Sequence, residues 1–373
     1  MIPVSEPILG EAEMRNVVQC VESGWISSGG NFVKEFEGGM ADFCGRRFGV
    51  AVNNGSSGLI AAFKALDLPA GSEVIMPSFT IISCALAAVY NHLIPVFVDS
   101  DPITWNMEAE QIRQAITPRT RAVLVVHMYG LPVDMEAVTQ IVNDHGLIMV
   151  EDHSEALGSR FKGSPCGSFG SISVASTYAN KAVTTGEGGV CLTDDPELAE
   201  RLQDIRNLFF GKTDRFSHSD LGYNFRMTNL QAAIGVGQLQ RIHEIIARKI
   251  WIGETYSELL RTLQDRCLID LPAQLPHRVN SYWMYGCVLT PEVEAGADTI
   301  RSKLANRGID TRAFFAPLHR QKPLQGQSIR GSKSFEVADR LGSRGFYLPS
   351  GIGLERNVIE HVVEHLEGAI DGL

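Results

Sequence analysis

Lys181 is the residue with the clearest chemical potential in this sequence, and it lies in the run S-T-Y-A-N-K-A-V-T-T-G-E-G-G of residues 176–189. The pattern predicts strands over residues 171–177 and 190–193, joined by a glycine-rich turn. Because burial disfavours the charged form, the pKa of a lysine placed there falls and its amine becomes nucleophilic. That chemistry suits a Schiff base with a carbonyl compound or with pyridoxal phosphate (PLP). A lysine can also bury only its stem and extend the amine to water, but the turn and the residues below favour catalysis.

Asp152 is the second candidate, just after a predicted strand over residues 147–150. That strand, L-I-M-V, is apolar without alternation, as in a parallel sheet covered on both faces. Folds of the α/β class place ligand chemistry at the carboxyl ends of such strands. There Asp152 can pair with a protonated pyridine nitrogen and keep the PLP ring an electron sink. The other interpretation is an acid that caps the following turn.

A third feature is the segment N-G-S-S-G of residues 54–58, between a predicted strand (residues 49–53) and a predicted helix (residues 59–66). Small hydroxyl residues at a helix start leave backbone N–H groups free to bind a phosphate, and the helix dipole favours an anion there. A serine at this position often serves only as a cap. The P-loop spacing is absent.

Taken in order along the chain, these segments resemble one family, the PLP-dependent nucleotide-sugar aminotransferases (DegT/AHBA synthase family) of fold type I. The similarity spans nearly the whole length and is greatest to the GDP-perosamine synthase branch. The segments that carry it include residues 1–4, 24–28, 95–99, 126–130, 151–152, 179–181, 185–189, 222–229 and 282–284. The resemblance implies an aspartate aminotransferase-like fold, with a large α/β domain and a small α+β C-terminal domain.

The resemblance also implies roles for residues around the cofactor. Lys181 would carry PLP and move the proton during transamination, and Asp152 would pair with the pyridinium. Glu155 would approach the ring hydroxyl. The remaining residues expected to bind the cofactor are Gly55, Ser56, Ser57 and Ser176 at its phosphate and Ile81 beside its ring.

Other residues would meet the substrate or a second subunit. Asn224 would reach the phosphate held by the neighbouring chain, so the enzyme would be a homodimer with shared active sites. The residues expected to line the sugar-nucleotide pocket are Trp25, Ser27, Arg312 and His319.

Three departures from the family pattern concern the cofactor's surroundings. Ile81 stands where relatives carry an aromatic residue stacked on the PLP ring, so stacking is lost or comes from Phe79. His153 and Ser154 replace small residues, commonly Ala or Cys, beside Asp152. Related enzymes that remove a hydroxyl have histidine at the lysine position, so Lys181 argues for amine transfer.

The expected reaction follows from the resemblance. L-Glutamate would donate its amino group to a nucleotide-linked 4-keto-6-deoxy sugar, with GDP-4-keto-6-deoxymannose as the best candidate. The products would be a 4-amino-4,6-dideoxy sugar nucleotide and 2-oxoglutarate. Three alternatives stay open: another substrate carrying dTDP or UDP, a PLP-dependent dehydratase or lyase, and a non-catalytic PLP-binding regulator.

Composition agrees with a two-domain enzyme. The chain has 373 residues, 44% of them hydrophobic, and a formal net charge of −10, which argues against a general nucleic-acid binder. The seven cysteines are scattered without a Cys-x-x-Cys pair, which indicates reduced thiols. We find neither a signal-peptide pattern nor a membrane-length apolar run. We therefore expect a cytoplasmic protein without a membrane partner.

Predicted strands and helices alternate along the first part of the chain. Strands are predicted at 73–77, 95–99 and 121–126, and helices at 80–91, 108–116 and 132–143, which indicates a largely parallel sheet. Residues 209–229 are predicted as a loop at the dimer interface, and residues 229–263 as one long helix. The division is placed between a large PLP-binding domain, 1–245, and a small domain, 246–373.

One competing motif is His361-x-x-Glu364-His365, which matches a metallopeptidase signature. On a helix, the apolar residues 359, 362, 363, 366 and 370 form one stripe. The motif then lies on the opposite, solvated face, without a third ligand in view. We therefore interpret it as surface and expect no metal.

Overall fold

The computed structural model describes residues 1–211, 213–327, 329–332 and 334–372. Its α-helices are α1 (Glu11–Ser23), α2 (Asn31–Cys44), α3 (Gly55–Leu66), α4 (Ser83–Tyr90), α5 (Ala109–Ala115), α6 (Met135–Asp144), α7 (Pro196–Arg206), α8 (Asn229–Leu239), α9 (Ile242–Leu259), α10 (Arg261–Asp265), α11 (Ala297–Ala305), α12 (Glu336–Arg344) and α13 (Arg356–Asp371). Its strands are β1 (Phe48–Val52), β2 (Glu73–Pro77), β3 (Ile94–Val98), β4 (Thr120–Val126), β5 (Ile148–Asp152), β6 (Arg160–Phe161), β7 (Ser164–Pro165), β8 (Ile172–Ser176), β9 (Gly189–Thr193), β10 (Ile269–Asp270), β11 (Arg278–Val279), β12 (Tyr285–Leu289), β13 (Arg312–Ala313), β14 (Arg330–Gly331) and β15 (Gly345–Leu348).

The main sheet has eight strands in the order β1-β9-β8-β5-β4-β2-β3-β14. The strands from β8 to β14 in this order run parallel, whereas β9 is antiparallel to both β8 and β1. This mostly parallel mixed sheet, flanked by helices, confirms the predicted α/β fold class. In register, Asp152 pairs with Val126 on one side and with Val174 on the other.

Both faces of this sheet are covered, which explains why its strands do not alternate in polarity. Along β4, Leu124 and Val126 contribute to the core beneath α3 and α4. Val123 and Val125 contribute to the core beneath α5 and α6. Each strand therefore presents apolar side chains in both directions, and the change to charged residues at the end of β5 marks the edge of the core.

A second, four-stranded sheet has the order β10-β12-β15-β13, and its paired strands are antiparallel. Its apolar residues share a core with α9, α11 and α13, including Ile252, Ile300 and Ile359. A three-stranded sheet, β11-β6-β7, is smaller. The predicted division at 245/246 falls inside α9 and stays a prediction.

Predicted strands over 73–77, 95–99 and 121–126 match β2, β3 and β4 to within one residue. Helix starts agree less well. α6 begins at Met135, three residues later than predicted, because the Asp134 side chain caps it by accepting from the Ala137 N–H. α3 begins at Gly55, four residues earlier than predicted, directly after its cap Asn54.

The prediction of one long helix over residues 229–263 is wrong. The segment forms α8, α9 and α10, and the first break occurs at Arg241, whose φ of −123° and ψ of 22° end the helical geometry. The side chains of Gln238 and Arg241 both donate to the backbone carbonyl of Ile8. A contact with the distant N-terminal segment therefore accompanies the break.

The C-terminal helix α13 buries the predicted apolar stripe, with Ile359 and Val362 fully buried. His361 and Glu364 are exposed and His365 is half-buried, as expected for the outer face of an amphipathic helix. Within the described residues, no helix is both long and apolar enough to cross a membrane.

Candidate active site

A cavity of about 340 Å³ opens where β4, β5 and β8 end. The predicted catalytic and cofactor residues that line it are Gly55, Ser56, Ile81, Asp152, Glu155, Ser176 and Lys181. The other lining residues are Asn54, Leu59, Thr80, Ser83, Val126, Ser154, Tyr178, Asn180, Glu187, Trp283, Phe315 and Tyr347. The structure thus brings most of the predicted residues together in one cavity from four separate chain segments.

Lys181 lies in the connection between the antiparallel strands β8 and β9, and its side chain is half-buried. Its Nζ lies 3.6 Å from the centroid of the Trp283 ring. Burial lowers the pKa of Lys181, while the negative charges of Glu155 and Asp152 act in the opposite direction. An amine with a lowered pKa is available as a nucleophile and as a proton acceptor.

Asp152 ends β5 and is 3% exposed. One carboxylate oxygen, Oδ1, accepts from the backbone N–H of Ser154 at 3.0 Å. The other oxygen, Oδ2, lies 3.6 Å from the thiol of Cys84 on α4. Asp152 therefore stabilises the following turn, as in the alternative interpretation, and also lines the cavity. The Cys84 contact was not predicted, because nothing in the local pattern of α4 relates it to β5.

Glu155 accepts a hydrogen bond from Tyr129, a residue with an unusual backbone conformation. Its Oε2 accepts from the backbone N–H of Tyr129 at 2.8 Å, and Tyr129 has a φ of 51°, in the left-handed region. Such a conformation in a bulky residue persists only where the surroundings enforce it. Burial raises the pKa of Glu155, and Lys181 opposes that shift.

The start of α3 forms one wall of the cavity. Asn54 caps the helix by accepting from the Ser57 N–H at 2.8 Å. The first N–H groups of a helix have no intrahelical partner, so those of Gly55 and Ser56 can bind an anion. An added Cβ at Gly55 would lie 2.9 Å from the Ser176 Cβ, so a larger residue does not fit. Ser57, which was also predicted to bind the phosphate, is buried and does not line the cavity.

Ile81 lies at the cavity with 40% of its surface exposed. Phe79 is fully buried against Tyr129 and Phe314 and does not line the cavity. Phe79 therefore does not supply an aromatic surface for stacking on the PLP ring. The aromatic residues at the cavity are Tyr178, Trp283, Phe315 and Tyr347, and none of them was among the predicted site residues.

The residues predicted to meet the substrate or a second subunit do not line the cavity of the single chain. Trp25 and Ser27 are exposed, and their carbonyls accept from Asn229. Asn224 is exposed and accepts from the Arg226 side chain at 2.8 Å. Their predicted roles stay predictions.

Arg312 and His319 also lie outside the lining set. Arg312 pairs with Asp310 at 2.6 Å. The two ring nitrogens of His319 lie 2.7 Å from the Ser78 hydroxyl and 3.0 Å from the Asp339 carboxylate. The substrate roles of Arg312 and His319 stay predictions.

The cavity's residues fit PLP. A half-buried lysine suits the aldehyde, a buried carboxylate suits the pyridine nitrogen, and a helix start with small hydroxyl residues suits the phosphate. These three features line the same cavity. Gly55 lies in its wall, where a side chain would clash with Ser176.

Comparison with known proteins gives one consistent result. Residues 7–367 match the model of the DegT/DnrJ/EryC1/StrS aminotransferase family. GDP-perosamine synthase from Caulobacter vibrioides is 35% identical, with 98% of this chain and 97% of the relative aligned. The enzyme of the same name from Escherichia coli O157:H7 is 36% identical over 98% of this chain and 97% of that relative.

Solved structures agree with the sequence comparison. The aminotransferase TlmJ from Streptoalloteichus hindustanus superimposes with a TM-score of 0.91 at 31% identity, covering 100% of this chain and 99% of that one. Because the family model matches nearly the whole chain and the cavity contains the expected lysine, we conclude that the chain belongs to the DegT/DnrJ/EryC1/StrS family and is a PLP-dependent aminotransferase.

Proposed function

We propose that this aminotransferase moves the amino group of L-glutamate to the C4 keto group of a nucleotide-linked 4-keto-6-deoxy sugar, with GDP-4-keto-6-deoxymannose as the preferred acceptor. The products are a 4-amino-4,6-dideoxy sugar nucleotide and 2-oxoglutarate. Support comes from the relatives named GDP-perosamine synthase, which align along almost the entire chain. The observation that carries the proposal is Lys181 in the same cavity as Asp152 and the start of α3.

The proposed roles of the cavity residues follow from their chemistry. Bound PLP supplies an electron sink that makes the α-carbon proton of an amino acid acidic. Lys181 Nζ, whose lowered pKa favours the neutral amine, would take the α-carbon proton of glutamate and pass it to the cofactor, and would later deliver a proton to C4 of the sugar. Asp152 holds the N–H of the pyridine ring, and the free N–H groups of Gly55 and Ser56 hold the phosphate.

We also propose that two chains assemble into a dimer with shared sites. Large apolar side chains are exposed on the single chain, among them Trp25 at 61%, Phe216 at 77% and Leu221 at 81%. Burying such residues is a common reason for association. Asn224 lies in the same 209–229 segment as Phe216 and Leu221, outside its own cavity. Sedimentation of the PLP-loaded protein tests the assembly, and a monomer would refute it.

The function is tested by incubating the protein with PLP, L-glutamate and a panel of GDP-, dTDP- and UDP-linked 4-keto-6-deoxyhexoses. We expect a GDP sugar whose ketone has become an amine, with an equal amount of 2-oxoglutarate. Lys181→Ala should lower turnover by about a thousandfold or more. Lys162→Ala is the control, since Lys162 forms a surface ion pair with Glu136, and its turnover should be unchanged.

The same assay separates the alternatives. A sugar that loses water without 2-oxoglutarate formation indicates a dehydratase or lyase. Amine transfer only to a dTDP or UDP sugar keeps the reaction and replaces the nucleotide. PLP binding without conversion by any amino donor indicates a regulator. Each of these results contradicts the proposal as stated.

A further inference from the structure

Lys249 is a buried cation that the proposed reaction does not use. It lies on α9 with 3% of its surface exposed. Its Nζ donates to the backbone carbonyls of Trp283 at 2.7 Å and Ser350 at 2.6 Å. Among the residues described here, no acidic group contributes to its pKa, which burial and the positive charge of Lys181 lower to about 7.

The two carbonyls belong to segments that flank the strands β12 and β15. Trp283 lies two residues before β12, and Ser350 lies two residues after β15. The Ser350 hydroxyl accepts from the Tyr285 N–H at 2.9 Å, so the two segments are also joined to each other. Lys249 thus links α9 to the backbone of Trp283.

The Trp283 side chain extends to the catalytic lysine. Its ring centroid lies 3.6 Å from Lys181 Nζ, and its indole N–H donates to the Asn180 carbonyl at 2.9 Å. The ring also stacks on Tyr129, with centroids 5.9 Å apart and planes 7° apart. Tyr129 in turn donates its backbone N–H to Glu155. Trp283 therefore contacts both the Lys181 segment and Tyr129, whose backbone N–H holds Glu155.

Burying a lysine without a carboxylate partner destabilises the fold, because removing the ammonium group from water is unfavourable. A methionine of similar length would fill the same volume without that cost. Lysine offers what methionine lacks, namely N–H donors that hold two backbone carbonyls at a defined position. Both the charged form and the neutral amine have enough N–H groups for these two hydrogen bonds.

We propose that Lys249 is a positioning residue for Lys181: it fixes the backbone of Trp283 and, through the indole ring, the place of the catalytic amine. The inference rests on the proposed role of Lys181. Lys249 does not line the cavity, so its effect passes through Trp283.

The test is a pH titration of the absorption of the PLP-loaded protein, which follows the protonation of the nitrogen of Lys181. In Lys249→Met the indole ring is released, and loss of its attraction for a positive nitrogen should lower the titration midpoint by about half a pH unit. Removal of the Lys249 charge alone would raise the midpoint, since one neighbouring cation disappears. The direction of the shift therefore distinguishes positioning from direct electrostatics.

A double-mutant cycle makes the test specific. Trp283→Leu should lower the midpoint by a similar amount, and Lys249→Met should lower it no further in that background because the connecting ring is gone. The kcat should fall about tenfold in each single variant, with the KM for the sugar nucleotide unchanged. An upward shift, or additive shifts in the double variant, would overturn the proposal.

Two further variants complete the design. Lys303→Met is the matched control, because Lys303 also donates to two carbonyls, those of Ala369 and Gly372 at the end of α13. Its midpoint should equal that of the wild type. If Lys249→Met does not fold, Lys249→Gln keeps N–H donors without charge and should give a smaller downward shift. A raised midpoint in that variant, or an unchanged midpoint with kcat still about tenfold lower, contradicts the inference.

Borohydride reduction followed by peptide mass analysis identifies the lysine that carries PLP. Attachment at Lys181 together with a failed titration test rejects only the role of Lys249. Attachment at another lysine rejects the proposed role of Lys181, and the Lys249 proposal with it.

Discussion

His153 should make the protein lose stability as the pH falls below about 6.5. The imidazole is fully buried beside Asp152, and its Nε2 lies 3.8 Å from the Cys44 sulfur. No hydrogen-bond partner for its Nδ1 is found among the residues with described positions. Burial lowers the pKa of His153 to about 4, although the charges of Glu151 and Asp152 oppose that shift. The folded protein therefore holds this imidazole neutral at a pH where an unfolded chain would protonate it.

The size of the effect follows from the two pKa values. The pKa of His153 is 6.5 when unperturbed and about 4 in the fold, and each unit corresponds to about 1.4 kcal/mol. Between these values the unfolded state binds more protons, so the free energy of unfolding falls as the pH falls. The loss reaches about 3 kcal/mol at about pH 4, and above about pH 6.5 this histidine adds no pH dependence.

The assay is urea unfolding of wild type and His153→Ala at about pH 7 and about pH 4. The variant leaves a cavity and should be less stable at neutral pH. It no longer carries the buried imidazole, so its deficit relative to wild type should shrink by about 3 kcal/mol at the lower pH. His145→Ala, which removes an exposed histidine, should leave a constant difference. A deficit in His153→Ala that is equal at both pH values would refute the reasoning.

Further predictions concern the cofactor and the turn after Lys181. Ile81→Phe adds an aromatic surface at the half-exposed edge of the cavity and should tighten PLP binding by about threefold to tenfold in an absorption titration; equal or weaker binding would count against the stacking argument. Gly188→Ala places a Cβ within 2.5 Å of the Thr177 hydroxyl and closer still to that of Thr185, so urea unfolding should show a loss of about 2 kcal/mol. Gly368→Ala, in a helix with open space around it, should instead gain about 0.5 kcal/mol.

The positions of Lys181 and Asp152 at one edge of the sheet could be predicted from local sequence. The apolar run that ends at Glu151-Asp152 became β5, and the strands on both sides of Lys181 became β8 and β9. These predictions succeed because strand burial and turn chemistry are encoded within a few residues. At the carboxyl edge of a parallel sheet, neighbouring strand ends meet, so two local signals converge in space without further information.

The neighbours of that pair could not be predicted in the same way. Trp283 lies about one hundred residues from Lys181 in sequence, and its contact depends on how α9 and β12 pack. The thiol of Cys84 meets Asp152 from a helix whose own pattern is only apolar. Such contacts are set by tertiary packing, which a periodicity analysis does not contain.

The break in the predicted long helix has the same origin. Residues 229–263 have good local helical character, and a local pattern therefore continues the helix across residue 240. The competing interaction is the carbonyl of Ile8, to which Gln238 and Arg241 donate from more than two hundred positions away. Only the folded N-terminal segment brings that acceptor to the break.

The two predicted substrate residues of the C-terminal part differ in what they can still bind. His319 has a partner at each ring nitrogen, and Phe335 stacks on its ring at 4.2 Å. It can therefore meet a sugar nucleotide only by giving up Ser78 or Asp339. A guanidinium has five N–H donors, and within the described part of the chain we find hydrogen bonds from one nitrogen of Arg312, to Asp310 and to a backbone carbonyl.

Arg312 is connected to the cavity wall by strand pairing. It pairs in register with Tyr347, whose side chain lines that cavity. A guanidinium with spare donors beside the opening suits a diphosphate, which it can bind in bidentate fashion. An exposed ion pair such as the one with Asp310 is worth little, so exchanging it for a diphosphate carries little penalty. We therefore predict that Arg312 contributes to the affinity for a sugar nucleotide, and that His319 keeps the loop after Ser78 in place.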